Sequence, residues 1–383
     1  MRDDQRTTCT GCEACVSACP QNALYMEADP VTGFLYPKTI DSLCNKCGIC
    51  EKICPTYKKM DKARRFRDAY AAYSKCNTIR LESTSGGMFT VFSDYIISLG
   101  GEVYGAGYDE NMNVIHMCVN TSKDIYKIQK SKYVQSRIGL IYKAVEKSLK
   151  NKVPVLFVGA PCQIAGLYSY LTTDYEGLYT IEFICLGVNS PLAYRLWIDG
   201  LEEKHKAKLT NLWFKYKEFG WRKSPLYTKL FFDNGDEELL TPENNYFMKG
   251  YLQGSFFVRP CCSNCRYNGD KRYADIVFGD YWGADTSSEL DYGTSVVLLN
   301  SKKGNDLFEA IKREIVFYDI SLASVFENNP RMYTPVSISS KSISFFEELQ
   351  TSHFDEVVKT YIGEDDVMPD ILTHIVDPGS SVT

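Results

Sequence analysis

Cys9-Thr-Gly-Cys12-Glu-Ala-Cys15-Val-Ser-Ala-Cys19-Pro20 is written a second time as Cys44-Asn-Lys-Cys47-Gly-Ile-Cys50-Glu-Lys-Ile-Cys54-Pro55. Each cysteine of the second run lies 35 positions after its counterpart. Three thiolates this close on one loop can wrap three irons of a cube, and the fourth ligand arrives from elsewhere. Zinc ribbons also use paired C-x2-C spacings. They rarely need four cysteines in each half, each half closed by proline, so the pattern predicts iron–sulfur ligation.

The spacing is that of bacterial two-cluster ferredoxins, in which the fourth cysteine of each run serves the opposite cluster. The wiring expected from it puts Cys9, Cys12, Cys15 and Cys54 on one 4Fe-4S cluster and Cys44, Cys47, Cys50 and Cys19 on the other. Residues 1–60 are then a small α+β ferredoxin-like domain, with short strands at 23–26 and 34–37 flanking a turn at 29–33. Such a domain has little core, and its clusters are expected to hold it together. Lys58 to Arg67 is strongly basic and lacks apolar periodicity, which predicts a solvated linker over 61–67.

At 383 residues the chain is long enough for two or three domains. A hydrophobic fraction of 44% and a charged fraction of 24% are those of a globular protein. The net charge of −5 gives no reason to expect nucleic acid or an anionic membrane as partner. No stretch approaches the ~20 apolar residues of a membrane span, and no apolar signal segment precedes Cys9. Fifteen cysteines without a secretory signal fit reduced thiols and metal ligation in the cytoplasm.

Beyond residue 67 strands and helices alternate, which argues for a mixed α/β core over 68–345, followed by a C-terminal helix and tail over 346–383. Val153–Val158 and Leu178–Ile184 are short apolar runs typical of strands buried on both faces. Ser85–Leu99 reads as a helix burying Phe89, Phe92, Ile96 and Leu99. Residues 209–257 are aromatic and hairpin-like. There Lys215, Lys217, Arg222 and Lys223, interleaved with Trp213, Phe214, Tyr216, Phe219 and Trp221, read either as an anionic-substrate pocket or as an exposed amphipathic strand.

Seven cysteines remain outside the double run. Cys162 follows a buried strand at the start of a helix, Cys185 closes the next strand, and Cys262 and Cys265 form a C-x2-C pair. Strand ends of an α/β sheet gather on one edge, where such folds place ligands. The four are candidates for a third four-thiolate site. The alternatives are buried cysteines acting as small hydrophobes and, for Cys162, a reactive thiol at a helix N-terminus. Cys76, Cys118 and Cys261 read as structural.

The ordered set Ser85-Gly-Gly87, Ser131-Lys-Tyr133, Gly159-Ala-Pro-Cys-Gln163, Cys185-x-Gly187, Cys262-x2-Cys265 and Ala274–Asp280 resembles the beta subunit of coenzyme F-420-reducing hydrogenase, a family that includes formate dehydrogenase beta subunits. The resemblance spans roughly residues 68–345. It implies an α/β flavoprotein core holding a third 4Fe-4S cluster on Cys162, Cys185, Cys262 and Cys265, with FAD beside it. Ser85, Gly86, Gly87, Lys132, Tyr133 and Asp280 are the flavin-binding candidates that follow from it. Glycines before an apolar helix suit a pyrophosphate, while the plainer reading is a Ser/Thr helix cap. Asp280 reads equally as a strand-end turn cap. Unlike the hydrogenase subunit, this chain carries a ferredoxin module at its front, as some relatives do.

Clusters pass single electrons, and a flavin converts them to hydride chemistry. The expected function is a ferredoxin- or F-420-linked oxidoreductase passing electrons between two ferredoxin-type clusters, a third cluster, FAD and a small-molecule or deazaflavin acceptor. The alternative is an electron-transfer subunit of a larger redox complex without substrate chemistry of its own. Either needs a redox partner: a ferredoxin, a hydrogenase or dehydrogenase subunit, or a small-molecule acceptor. The sequence leaves the catalytic residues unassigned.

Overall fold

The computed structural model describes residues 5–58, 63–284 and 291–363. Its centre is an eight-stranded mixed sheet in the order Ile315–Asp319, Asp68–Ser74, Ser295–Leu299, Ile276–Asp280, Leu178–Phe183, Val155–Gly159, Glu102–Tyr108, Val114–Val119. The four strands from Ile276–Asp280 to Glu102–Tyr108 run parallel, and both flanks are antiparallel. All five residues of Ser295–Leu299 are buried, and four of five in Val155–Gly159, as continuous apolar runs require when helices cover both faces. The mixed α/β core expected from the alternation is therefore present.

Helix ends follow local chemistry. Pro161–Leu171 starts with proline at its first position, and the Gln163 side chain accepts from the Ala160 N–H at 2.9 Å. Ser190 caps Pro191–His205 by accepting from Ala193 N at 3.1 Å. The helix predicted from Ser85 begins at Met88, because Gly87 takes a left-handed conformation (φ 85°) at its cap. Its buried face is Met88, Val91, Phe92 and Ile96, whereas Leu99 is 48% exposed at the end of the helix.

In the first module Leu24–Ala28 pairs antiparallel with Leu35–Thr39. The sequence repeat is also a backbone repeat. Gly11 and its counterpart Lys46 are left-handed, as are Glu13 and its counterpart Gly48, each of the latter two capping a short helix.

The module is docked, not tethered. Cys12 and Ala14 belong to one apolar core with Tyr104, Tyr142, Phe157, Ile164 and Leu167. The Glu13 carboxylate accepts from Ile138 N (2.9 Å) and Gly139 N (3.1 Å). Ser169 Oγ donates to Ile53 O, and Arg266 donates to Thr56 O. Arg259, fully buried, donates to Cys9 O (2.9 Å), Leu35 O (2.9 Å) and Gln135 Oε1 (2.6 Å).

Part of the stretch read as a solvated basic linker is structural. Residues 59–62 lie outside the described residues. Arg64–Arg65 pairs as a strand with Lys271–Arg272, and Arg64 reaches the buried Asp275 carboxylate at 2.5 Å. The division at residue 345 cuts through a core as well. Phe345, Phe346, Phe354, Val357 and Val358 pack in one cluster with Trp197, Phe214 and Phe247. The tail from residue 364 onward lies outside the described residues.

Candidate functional site

Cys9, Cys12, Cys15 and Cys54 lie near one another, and Cys19 lies near Cys50. Cys15 has Cys12, Cys9 and Cys54 as its charged neighbours, and Cys12 has Cys9 and Cys54. Cys19, from the first run, neighbours Cys50 of the second. The first set is deep, with Cys12 buried, whereas Cys47 of the second set is exposed. Gly11 N–H points at Cys9 Sγ (3.4 Å) and Ala23 N–H at Cys19 Sγ (3.2 Å), the kind of contact that tunes a cluster's potential.

Cys162, Cys185, Cys262 and Cys265 come together from three separate stretches of chain. They line one cavity of about 230 Å³, with Cys261, Arg259, Tyr267 and Arg272 also in its wall. Cys162 starts its helix, Cys185 lies just past the end of its parallel strand, Cys262 lies within the turn Pro260–Asn264 and Cys265 directly follows it. Burial, then the neighbouring thiols, pushes Cys162 well above the ordinary thiol range, and burial pushes Cys185 up to about 12. Thiols held up in this way, as Cys162 and Cys185 are, become thiolates when positive charge lies among them, which a cluster's irons would provide. Among the described residues no three His, Cys, Asp or Glu side chains converge closely enough for a single ion. A cube takes one thiolate on each of four irons, so its ligands stand wider apart than those of one zinc.

Cys261, read as structural, is buried in this cavity wall next to Cys262, whereas Cys76 and Cys118, read the same way, are exposed.

A second cavity of about 310 Å³ opens along the carboxyl ends of the parallel strands, where α/β sheets hold ligands. Ser85, Gly87, Lys132, Tyr133 and Asp280 all line it. Cys162 and Cys185 line both cavities, so the two share a wall. Gly86 behaves differently. Its N–H donates to Ser295 Oγ at 3.0 Å, and a Cβ there would stand 2.5 Å from Ala72 O. Glycine is needed at 86 for its close contact with the strands of Ala72 and Ser295.

Lys132 is half-buried, and among the described residues its ammonium donates to the carbonyls of Gln129 and Lys130. Burial, then the charge of Lys130, brings it down to about 7. Among the described residues no carboxylate pairs with it. A half-buried cation without a counter-ion in a cavity wall fits an anionic ligand.

Asp280 is held by Lys215, whose Nζ lies 2.5 Å from Oδ2 and 4.7 Å from the Trp282 ring centroid. Lys217 donates to Arg80 O, Ser85 O and Tyr292 O, each at 2.7 Å. Arg222 donates to the carbonyls of Trp282 and Ala284, and Trp221 stacks on Trp282 at 4.5 Å. For Lys215 and Lys217 both readings are corrected, whereas Phe219 and Lys223 are exposed. Lys215 and Lys217 are buried struts behind the cavity, neither an open anionic pocket nor an exposed strand.

His116 was not anticipated. It lines the larger cavity, stacks on Phe157 (5.3 Å), and is bonded through Nε2 to Val158 O (3.1 Å) and through Nδ1 to Ser136 Oγ (2.9 Å). Gln163, next to Cys162, donates to the same Ser136 hydroxyl at 3.0 Å. A single histidine in an alternating strand carries no signal of such a network.

Residues 8–58 match a 4Fe-4S dicluster domain, and residues 153–325 match the family described as the C terminus of the coenzyme F-420 hydrogenase/dehydrogenase beta subunit. The chain joins these two domains. A coenzyme F-420-dependent sulfite reductase of Methanocaldococcus jannaschii is 25% identical over 320 residues, 79% of this chain and 46% of that protein. An uncharacterized protein of the same organism is 26% identical over 198 residues, 44% of this chain and 54% of that one. The chain thus spans about half the length of the curated relatives it matches. A chain of the F-420-reducing NiFe hydrogenase complex from Methanosarcina barkeri superposes with a TM-score of 0.45 at 17% identity, over 79% of this chain and 93% of that one. The F-420 hydrogenase/dehydrogenase-type domain contains Cys162, Cys185, Cys262, Cys265 and Asp280, whereas Ser85, Gly87, Lys132 and Tyr133 lie ahead of the matched residues. Among the described residues no helix is long and apolar enough to cross a membrane.

Proposed function

We propose that this chain is an iron–sulfur flavoprotein oxidoreductase. The two ferredoxin-type sets and the set Cys162, Cys185, Cys262 and Cys265 would each hold a 4Fe-4S cluster, and the larger cavity would hold FAD. The observation that carries this reading is the shared wall, since Cys162 and Cys185 line both cavities. Clusters supply single electrons and a flavin supplies two-electron chemistry, so the two must lie side by side to be coupled. The cavity is within the ~300–1,000 Å³ usual for small-molecule sites.

The protein's own residues divide the work. The set Cys44, Cys47, Cys50 and Cys19, with Cys47 exposed, would suit an external one-electron partner, while Cys12 of the other set is buried against the second domain. Lys132 would pair with an anionic part of the flavin, and Lys215 holds the Asp280 carboxylate at the cavity wall. The partner would be a ferredoxin, a hydrogenase or dehydrogenase subunit, or a small-molecule acceptor. The F-420-dependent relative makes a deazaflavin the first acceptor to try. Fifteen free cysteines fit a reducing cytoplasm.

The test is anaerobic purification with iron, sulfide and flavin analysis. Three clusters require roughly twelve irons per chain, with one flavin extracted. Roughly eight irons would remove the third cluster. No flavin, even after reconstitution, would leave an electron-transfer subunit without substrate chemistry.

A further inference from the structure

Two tyrosines flank the gap between the inner ferredoxin-type set and the third set. Tyr142 has Cys12 and Cys162 among its charged neighbours, and Tyr267 has Cys12, Cys162 and Cys54. Their hydroxyls differ. Tyr142 Oη already donates to Gln163 O at 2.8 Å. Tyr267 Oη has no hydrogen-bond partner, although the residue is only 5% exposed and lines the cavity with Cys162, Cys185, Cys262 and Cys265.

Tyr267 is firmly held. Its ring meets Tyr273 edge-on at 6.1 Å, and its carbonyl accepts from Arg272 Nη1 at 2.7 Å. Arg272 is itself fixed by Met332 O (3.2 Å) and by the buried Glu182 carboxylate (3.5 Å). A fixed, buried hydroxyl without an acceptor is costly. Cys12, Cys162 and Cys54 lie near this hydroxyl, so sulfur is an acceptor within its surroundings.

We propose that Tyr267 donates a hydrogen bond to a cluster sulfur at this gap and thereby raises the reduction potential of the cluster it faces. The proposal rests on reading both cysteine sets as iron–sulfur sites. Hydrogen bonds to sulfur favour the more negative, reduced cluster and are one of the protein's means of setting its potential. Tyr267 is a positioning and tuning residue here, not a catalytic one.

The experiment is a redox titration of the anaerobic holoprotein followed by electron paramagnetic resonance, comparing wild type, Tyr267→Phe and Tyr273→Phe. In Tyr267→Phe the iron content stays at the wild-type value, and one inner-cluster potential falls by about tenfold in the reduction equilibrium, ~59 mV for one electron. The potential of the outer cluster on Cys19, Cys44, Cys47 and Cys50 stays in place, and Tyr273→Phe moves none. Unchanged potentials in Tyr267→Phe, an equal shift at all clusters, or the same shift in Tyr273→Phe would overturn the proposal. Loss of iron in Tyr267→Phe would do so too, because the phenol would then be packing. A wild-type protein with iron in only the two ferredoxin-type sets defeats the third-cluster reading separately. The shift at the Cys9 set alone then decides for or against the hydroxyl.

Discussion

Gly166 lies directly against Cys12. A Cβ at Gly166 would stand 3.0 Å from Cys12 Cβ, 3.2 Å from its Sγ and 2.8 Å from Tyr142 Oη. Gly166 is four residues after Cys162 in the helix Pro161–Leu171, so both share one face, about 6 Å apart along the axis. Cys12, a proposed ligand of the inner set, therefore packs one helical turn from Cys162, a proposed ligand of the third.

Alanine in a helix is ordinarily better than glycine by roughly 0.5–1 kcal/mol. Gly166→Ala should reverse that sign, because overpacking costs on the order of 1–3 kcal/mol. Thermal unfolding should show a lower Tm, and the resonance signal of the Cys9 set should change while that of the outer set does not. A more stable variant with unaltered signals would refute the contact.

Arg259 is the strut of the docked module. Its side chain makes three hydrogen bonds, two of them to the carbonyls of Cys9 and Leu35, and its guanidinium lies 4.6 Å from the Tyr36 ring centroid. Arg259→Leu should cost several kcal/mol, because it leaves the acceptors on Cys9, Leu35 and Gln135 without their donor at about 1–3 kcal/mol each. Hydrogen exchange should speed up first over residues 8–39. Arg259→Lys should recover little, since an ammonium cannot reproduce a planar fork. Uniform exchange across both domains would argue against a role in docking.

What the chain displays openly is what repeats or alternates. The double cysteine run was readable because each ligand sits at a fixed spacing, and the parallel strands because Val155–Gly159 and Leu178–Phe183 are apolar runs. Docking was not readable. Glu13, Ser169 and Arg259 are single polar residues whose partners lie more than a hundred positions away. Lys215 and Lys217 misled for the same reason, since charge suggests solvent or ligand until Asp280 and three carbonyls are brought to them by the fold. Lys132 stood out only through the family resemblance, because its isolation as a half-buried cation is a tertiary property.

His116 should give the protein an acid-sensitive step. Burial, reinforced by the nearby Lys132 charge, brings it down from 6.5 to about 4. Between those values the unfolded chain takes up a proton that the folded chain does not, so stability is full above 6.5 and is lost as pH falls towards 4. The loss is on the order of 3 kcal/mol over the window. Urea unfolding of wild type should therefore fall more steeply than that of His116→Gln, by roughly 2 kcal/mol between pH 6.5 and 5. Parallel profiles would show that the imidazole titrates normally.

Lys132 offers the sharpest test of the larger cavity. Its ammonium has no carboxylate partner among the described residues, and it is brought down to about 7. An anion bound beside it would restore the charge, so binding should take up a proton and weaken above pH 7 by up to about tenfold per unit. Lys132→Met removes a charge-assisted hydrogen bond of about 1.5–3 kcal/mol, which corresponds to flavin affinity roughly 10- to 100-fold lower. Quenching of flavin fluorescence on titration into the flavin-depleted protein measures both effects. Iron content in the same variant should stay at the wild-type level, because Lys132 lines the larger cavity and not the cysteine-walled one. Equal affinity in wild type and Lys132→Met, with the same pH dependence, would mean that the flavin phosphates and ring are held elsewhere.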